Sequence, residues 1–464
     1  MDSLTAMTAR ADAIKAAGTL DLALPVYEAA VRAYPGNAIA LHNWAACLGD
    51  AGQHAKSAQI ARKAIALGLK APETHLVLAR ALMNSGENDG ALAEYETVLR
   101  VNPGMIPAQL ERAQLVWMLS ADATRALEVL EATIAVQPFA PGLHFVKAKA
   151  LEFMERVPDA CEAMEELLRC APRDVFALGY AANLYALANK PERARELAGA
   201  ALAAAPGDPG ALEAMACALL ACGDAPQALE LATRLHSLRP DNQLAIALQA
   251  TAWRLLDDPR FGELYDYGAL VRTYMLAVPP GWTSLDHYVA DLAAELKQVH
   301  PFRSHPFGQS VRHGSQRSDV LSTQTPAIQA FPAALDEPLR LHIDHLGTGP
   351  DPVRSRNTGR WKIRGAWSVW LRPGGFHADH VHSQGWLSSA CYIELPERIS
   401  ADKNEGWLKF GEPGIPTRPA LSWQHSVQPI PGMIALFPSF MWHGTIPFGG
   451  DEPRLTIAMD VLPG

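Results

Sequence analysis

The phrases AAPGDP (Ala204–Pro209) and LRPDN (Leu238–Asn242) each close an alanine- and leucine-rich run, and their prolines, Pro206 and Pro240, stand 34 residues apart. The same step, once 35, reaches back through Pro172 and Pro138 to Pro103. It continues to Pro35 at twice the interval, with Leu69 in the place between. Twelve residues before each proline is an alanine (Ala23, Ala91, Ala126, Ala160, Ala194 and Ala228), with Ser57 before Leu69. A small residue lets two helices approach closely, and a proline cannot continue a helix, so it ends the second one and opens a turn. The period predicts stacked helix pairs over roughly the first 255 residues.

A 34-residue helix-turn-helix with this alanine-to-proline spacing resembles the tetratricopeptide repeat. The resemblance implies an all-α solenoid over residues 1–255, with a concave groove of the kind that holds a peptide or protein partner. The histidines of this half (His42, His54, His75, His144 and His236) are scattered without ligand spacing. Cys217 and Cys222 read as small core residues.

Length and composition bound the rest. At 464 residues the chain is too long for one core and implies two or three domains. Hydrophobic content of 49% and charged content of 19% are ordinary for a globular protein. A net charge of −9 and the lack of a Lys/Arg block argue against nucleic acid as a partner. Six cysteines form no CxxC pair, which suits a reducing cytoplasm. The amino terminus reads as an amphipathic helix and not as a signal peptide, and no apolar run of about 18 residues predicts a membrane span. A homodimer is compatible with both a repeat array and an exposed barrel edge.

The composition changes from about Phe261, beyond which lie eight of the eleven tryptophans and eleven of the sixteen histidines. Helical patterns continue over Ser284–Val299 and Pro326–Leu346. After these come short β-rich segments bounded by Gly or Pro: IRGAWSVWLRPGG, SSACYIELP, GMIALFPSF and RLTIAMDVLP. The expected fold is therefore α + β and multidomain, with the solenoid followed over 256–464 by a β-sandwich or jelly-roll barrel braced by helices.

Within that half, GFHADHVHSQGW (Gly375–Trp386) crowds three histidines and an aspartate into six residues. Residues i and i+2 of a strand share a face, so His377 with Asp379, or His380 with His382, can grip one ion, but not both pairs together. His443 follows a predicted strand about sixty residues on, and Arg454 lies eleven residues beyond it. Two ligands from one segment and a third from a distant strand leave open positions on an octahedral ion, as iron(II) oxygenases require. A cosubstrate such as 2-oxoglutarate would chelate the metal and leave a far carboxylate for a bidentate guanidinium, here Arg454, with Thr456 and Tyr392 as further donors.

Residues from about 300 to the end resemble the 2-oxoglutarate–iron(II) oxygenases found fused behind tetratricopeptide repeats. The matching phrases are HPFGQSVRHGSQ (His305–Gln316), AWSVWLRPGGFHADHVHSQGWLSSACYIELP (Ala366–Pro396) and FPSFMWHGTIPFGGDEPRLTIAMDVLP (Phe437–Pro463). The family signature, H-x-H, a Ser- and Tyr-bearing strand, then H…R, falls on His380, His382, Ser388, Tyr392, His443 and Arg454. Ser383 stands where the family tends to have proline. The resemblance implies iron held by His380, His382 and His443, with 2-oxoglutarate held by Arg454, Thr456, Tyr392 and Ser388. The wider superfamily uses H-x-D/E, which His377 and Asp379 match in wording. If His380 and His382 are the ligands, Asp379 is expected to orient one of them and His377 to sit on the rim. Trp386 and Trp442 are expected to wall the substrate pocket, with Arg312 and Gln316 as cosubstrate or substrate contacts; His425 reads as structural. The implied activity is hydroxylation of a protein or peptide side chain recruited by the repeat groove. The alternatives are a non-catalytic repeat scaffold carrying a degenerate barrel, and a cupin-like dioxygenase that uses no 2-oxoglutarate.

Overall fold

A computed structural model describes residues 3–397, 399 and 403–464. Among these residues, fifteen helices run from Leu4–Ala16 to Gln243–Leu255, and strands begin only after them. The alanines spaced from the prolines are all buried, none more than 1% exposed, and Ser57 takes their place in the second pair with full burial. The sequence period also carries a capping device. Asp174, Asp208 and Asn242 each stand two residues after a repeat proline, and their Oδ1 atoms accept from the amides of Ala177, Ala211 and Leu244 at 2.8, 2.8 and 2.9 Å. Proline ends one helix and the Asx side chain starts the next, which fixes each turn.

The chain forms two compact units. One comprises the residues up to Val116 together with Asp122–Val146; the other comprises Trp117–Ala121 and everything from Lys147 onward. The second unit therefore holds the last repeats and the whole β region. No helix among the described residues is long and apolar enough to cross a membrane.

Among the described residues nine strands build the β region: β1 (Arg272–Met275), β2 (Val311–Ser318), β3 (Trp361–His377), β4 (Leu387–Glu394), β5 (Leu408–Phe410), β6 (His425–Val427), β7 (Met433–Pro438), β8 (His443–Thr445) and β9 (Arg454–Pro463). Six form one sheet in the order β1-β7-β4-β9-β3-β2, and three form a second in the order β6-β5-β8. Every pairing is antiparallel. Strand β9 shows how the sheet divides its two faces. Leu455, Ile457, Met459 and Val461 are buried in the core shared with Tyr288, Leu292 and Leu296 of the helix Leu285–Gln298 and with Phe331 and Leu335 of Pro326–Leu346. The alternate residues Arg454, Thr456, Ala458 and Asp460 face a cavity on the other side of the sheet. The period of two thus assigns helix-bracing and cavity-lining to alternate positions of one strand.

Two glycines let β2 and the bend of β3 pack. A Cβ on Gly314 would lie 2.7 Å from the Trp370 carbonyl, and one on Gly375 would lie 2.7 Å from the Arg372 carbonyl and 2.8 Å from that of His313. The register shift between Arg312 and Gly314 falls opposite this bend. Behind it, buried His300 links three strands. Its Nδ1 pairs with Ser315 Oγ at 2.7 Å on β2, and its Nε2 with Ser368 Oγ at 2.9 Å on β3; Ser368 Oγ in turn reaches the Thr456 carbonyl of β9 at 3.3 Å.

Burial pushes His300 down to about 4 from its ordinary 6.5. The unfolded chain then binds the extra proton below pH 6.5 while the folded chain resists it, so stability is present above that pH and lost as pH falls through the window towards 4. Lowering pH from 7 to 5 is expected to remove about 1–2 kcal/mol through this group. A His300→Gln variant should lose that part of the pH dependence in urea titrations, even if it is less stable at pH 7.

Candidate metal centre

His377 ends β3, and the chain then leaves the strand through Ala378 and Asp379 before His380 pairs with His443 of β8. The pairing is a backbone bridge: His380 N donates to His443 O at 3.0 Å and His443 N to His380 O at 3.1 Å. His382 N donates to Ser439 O at 3.0 Å. Two further glycines make room here. A Cβ on Gly414 would meet the Asp379 carbonyl at 1.9 Å, and one on Gly444 would come within 2.8 Å of the His377 carbonyl.

This path brings His380, His382 and His443 together, with one ring nitrogen of each within 4.8 Å of the others. The outward nitrogen of every ring is committed. His380 Nδ1 pairs with Ala378 O at 2.8 Å, His443 Nδ1 with Met441 O at 2.8 Å, and His382 Nδ1 with Asp460 Oδ1 at 2.5 Å. Each of these oxygens is an acceptor, so each Nδ1 carries a hydrogen and each Nε2 is turned toward the other two rings. His380 Nε2 and His382 Nε2 face one another at 3.1 Å. A proton on one ring or a cation between the two reconciles them at that distance. The spacing is also that of two cis nitrogens on one metal, about 3 Å for bonds of about 2.1 Å. Burial holds His380 down to about 3, with neighbouring His382 the next cause, and holds His443 far below its ordinary value. Both rings therefore stay neutral and available as ligands.

His377 and Asp379 lie elsewhere in the same cavity wall. His377 Nδ1 pairs with Ser310 Oγ at 3.0 Å and its ring stacks on His380 at 6.1 Å. Asp379, expected to orient a ligand imidazole, is held by Lys409 Nζ at 2.7 Å, and Lys409 also contacts Glu412 at 2.6 Å. Burial raises Asp379 to about 6 in spite of that ammonium. The orienting carboxylate is Asp460, which sequence reading missed. Its signal was available as parity: it stands six residues after Arg454, on the same face of β9.

Arg454 is 2% exposed, its Nη1 donates to the Gly406 carbonyl at 2.8 Å, and its Nε is buried with no hydrogen-bond partner. The guanidinium lies over the Tyr392 ring at 5.0 Å, and the Tyr392 hydroxyl is likewise buried without a partner. Burial lowers the Arg454 pKa, and no carboxylate among the described residues pairs with it. A buried cation with no counter-ion calls for an anionic ligand. Thr456 lines the cavity beside it.

The other expected contacts divide. Arg312 and Gln316 line the cavity; Arg312 Nη1 donates to the carbonyls of Gln309 and Val311, and Gln316 Nε2 donates to Gln309 Oε1. Ser388, expected to touch the cosubstrate, instead meets Ser439 Oγ at 2.9 Å and Asp460 Oδ1 at 3.4 Å, and so steadies the carboxylate that holds His382. Trp386 and Trp442 do not wall the cavity. Each is buried, because its indole N–H has a partner in the interior: Val353 O at 2.9 Å for Trp386 and Thr251 Oγ1 at 3.0 Å for Trp442. Trp367 provides the aromatic wall, stacked on His382 at 5.6 Å. His425 stacks against Tyr267 at 5.2 Å, away from the three imidazoles. The cavity measures about 740 Å³, far more than a five-carbon diacid fills.

Family comparison agrees with this division. Residues 365–460 match the family described as "Putative 2OG-Fe(II) oxygenase", and residues 76–141 match the tetratricopeptide repeat. No curated protein matches the chain. Similar solved structures include a tetratricopeptide repeat protein from Parabacteroides merdae (18% identity, 54% of this chain and 98% of that one, TM-score 0.38). Two others are MamA (15% identity, 37% and 92%, TM-score 0.30) and the C-terminal part of a TPR repeat-containing protein from Cytophaga hutchinsonii (14% identity, 52% and 98%, TM-score 0.36). All three scores are below 0.5, so the repeat assignment rests on the family match and on the helical register.

If Asp460 orients His382, Asp460→Asn should weaken metal binding about 10–100-fold. Asp379→Asn, which loosens only the Lys409 contact, should change it less than threefold. Anaerobic titration of both variants with iron(II), or with cobalt(II) as a visible probe, measures the difference.

Proposed function

We propose that this chain is an iron(II)- and 2-oxoglutarate-dependent oxygenase that hydroxylates a side chain of a polypeptide. The observation that carries this reading is the pairing of two features in one cavity: three imidazoles whose ring nitrogens converge within 4.8 Å, and a buried guanidinium that no carboxylate among the described residues meets. A divalent metal answers the first and the far carboxylate of a diacid the second. When bound, iron(II) and 2-oxoglutarate supply the activation of dioxygen, with conversion of the cosubstrate to succinate and carbon dioxide and insertion of one oxygen atom into a C–H bond.

The chain's own residues then have distinct tasks. His380, His382 and His443 would hold the metal. Their Nδ1–H bonds fix both ring tautomer and ring orientation, so the lone pairs are aimed before the metal arrives. Three neutral imidazoles leave the metal's charge to be balanced by the dianionic cosubstrate. Asp460 adds negative character through the His382 ring, which partly makes up for a ligand set without a carboxylate. Arg454 would hold the far carboxylate by a charge-assisted contact, with the Thr456 hydroxyl beside it. The Tyr392 ring covers the guanidinium and keeps water from it. Trp367 braces His382 from the cavity side, and the remaining volume admits a substrate.

Tetratricopeptide arrays serve as platforms for protein partners, and the polypeptide substrate follows from that role. A cytoplasmic location, suggested by six free cysteines, belongs to the same proposal.

Anaerobic addition of iron(II) and 2-oxoglutarate should give a weak visible charge-transfer band. Arg454→Ala should raise the 2-oxoglutarate concentration needed for it about a hundredfold, the loss of about 3 kcal/mol of charged hydrogen bonding. His380→Ala should abolish the band. A wild-type chain that binds iron but gives neither band nor 2-oxoglutarate turnover would sink the oxygenase reading.

A further inference from the structure

Charged side chains line the cavity that holds the three imidazoles, and most of them are already matched. Asp379 is held by Lys409 at 2.7 Å, Asp460 by His382 at 2.5 Å, and Glu152 accepts the Tyr180 hydroxyl. Arg454 is the buried clamp described above. Arg312 gives its Nη1 to two carbonyls, lies over the Phe153 ring at 5.4 Å and sits in the field of Glu155 and Glu152. That leaves Arg364, an exposed residue of the cavity wall. No carboxylate among the described residues lies at ion-pair distance from it; its contacts are with Gln384 alone.

Arg364 is fixed in place by its surroundings. It is the extra residue where the pairing of β3 with β9 slips between Ile363 and Gly365. Its Nη1 donates to Gln384 O and its Nη2 to Gln384 Oε1, both at 3.0 Å. A guanidinium has five N–H donors, so three remain, the Nε–H among them. The Gln384 amide, with its oxygen taken, keeps both Nε2 hydrogens, and Gln384 also lines the cavity. A second arginine steadies the same loop, with Arg356 Nη1 on Gly385 O at 3.0 Å. A held guanidinium beside free amide donors matches a carboxylate. The local charge favours an anion as well. From Pro352 to Ala378 the chain carries five arginines, one lysine and no acid, in a protein whose net charge is −9. Lys362, two residues before Arg364, is exposed. A basic mouth on an acidic protein draws an acidic partner to that mouth and repels it elsewhere.

We infer that Arg364 and Gln384 form a subsite for the carboxylate of an Asp or Glu, and that the cavity takes an acidic segment of a polypeptide. Gln384 follows His382 by two residues, so the subsite lies roughly 10 Å from the three imidazoles. An extended segment advances about 3.3–3.6 Å per residue, so the acid stands about three residues from the side chain at the metal. Lys362 extends the preference to a further acid beyond it. That this segment is a substrate rests on the oxygenase reading; its binding at the mouth does not.

The test selects random ten-residue peptides on the metal-free, full-length chain and measures the affinity of labelled binders by fluorescence polarisation. Asp and Glu should be enriched, and replacing the enriched acid by its amide should weaken binding at least fivefold. Arg364→Gln should remove that difference, and Lys362→Gln should reduce affinity about twofold. Arg364→Glu should turn the preference to Lys and Arg, a reversal that a misfolded mouth cannot give. Arg372→Gln, in the same basic stretch but outside the cavity wall, should change nothing. A library without binders, binders without acids, or acidic binders indifferent to Arg364→Gln would overturn the subsite. A single-stranded oligonucleotide held through Arg364 more tightly than any peptide would overturn it too. Arg364-dependent binding of acidic peptides by a chain that, loaded with iron, never consumes 2-oxoglutarate would uphold the subsite and remove the oxygenase.

Discussion

Two imidazole nitrogens held 3.1 Å apart, with a third imidazole beside them, are the constraint on which the site depends. Their hydrogens are fixed on the far side of each ring, by the Ala378 carbonyl and the Asp460 carboxylate. The protein has invested backbone geometry in this arrangement: an isolated bridge between His380 and His443, and glycines where any side chain would strike the Asp379 or His377 backbone. The three imidazoles are thereby turned toward one point.

The same logic extends along β9. One face of the strand carries Arg454, Thr456, Ala458 and Asp460 to the cavity, while the other buries four apolar residues against the bracing helices. Core packing therefore sets the register of the buried Arg454 guanidinium and of Asp460, the carboxylate that holds His382, at once. A one-residue slip would bury the arginine and the aspartate among leucines and isoleucines, so the hydrophobic core and the chemistry enforce one another. The last repeats belong to the same compact unit. Arg254 and Thr251 bond to the β region directly, and Glu152 and Leu187 help to wall the cavity.

Much of this was legible in the chain. The repeat register shows in Pro206, Pro240 and their predecessors because helix ends and close helix contacts have strong local chemistry. The His380, His382, His443 and Arg454 set showed through spacing and family likeness. Spacing alone left His377 and Asp379 as rivals, because the bend at Pro373–Gly375 hides which residues share a face. What separates them is long-range: His380 pairs with a residue 63 positions away, and Lys409 takes Asp379. Asp460 lies 78 residues from the histidine it holds; strand parity puts it on the Arg454 face, and only the folded sheet shows which imidazole it meets. Trp386 and Trp442 were misjudged for a related reason. Both are near the ligands in sequence, but their indole N–H groups found partners in the interior, and burial followed those partners.

X-ray absorption at the iron edge of the anaerobic, iron-loaded chain tests the centre most directly, because multiple scattering counts imidazole rings. Three imidazoles are expected in the wild type, still three in Asp379→Asn and His377→Ala, and two in His382→Ala. Two imidazoles with a carboxylate oxygen in the wild type, one ring disappearing with His377→Ala, would contradict the three-histidine centre and place the metal on the other pair.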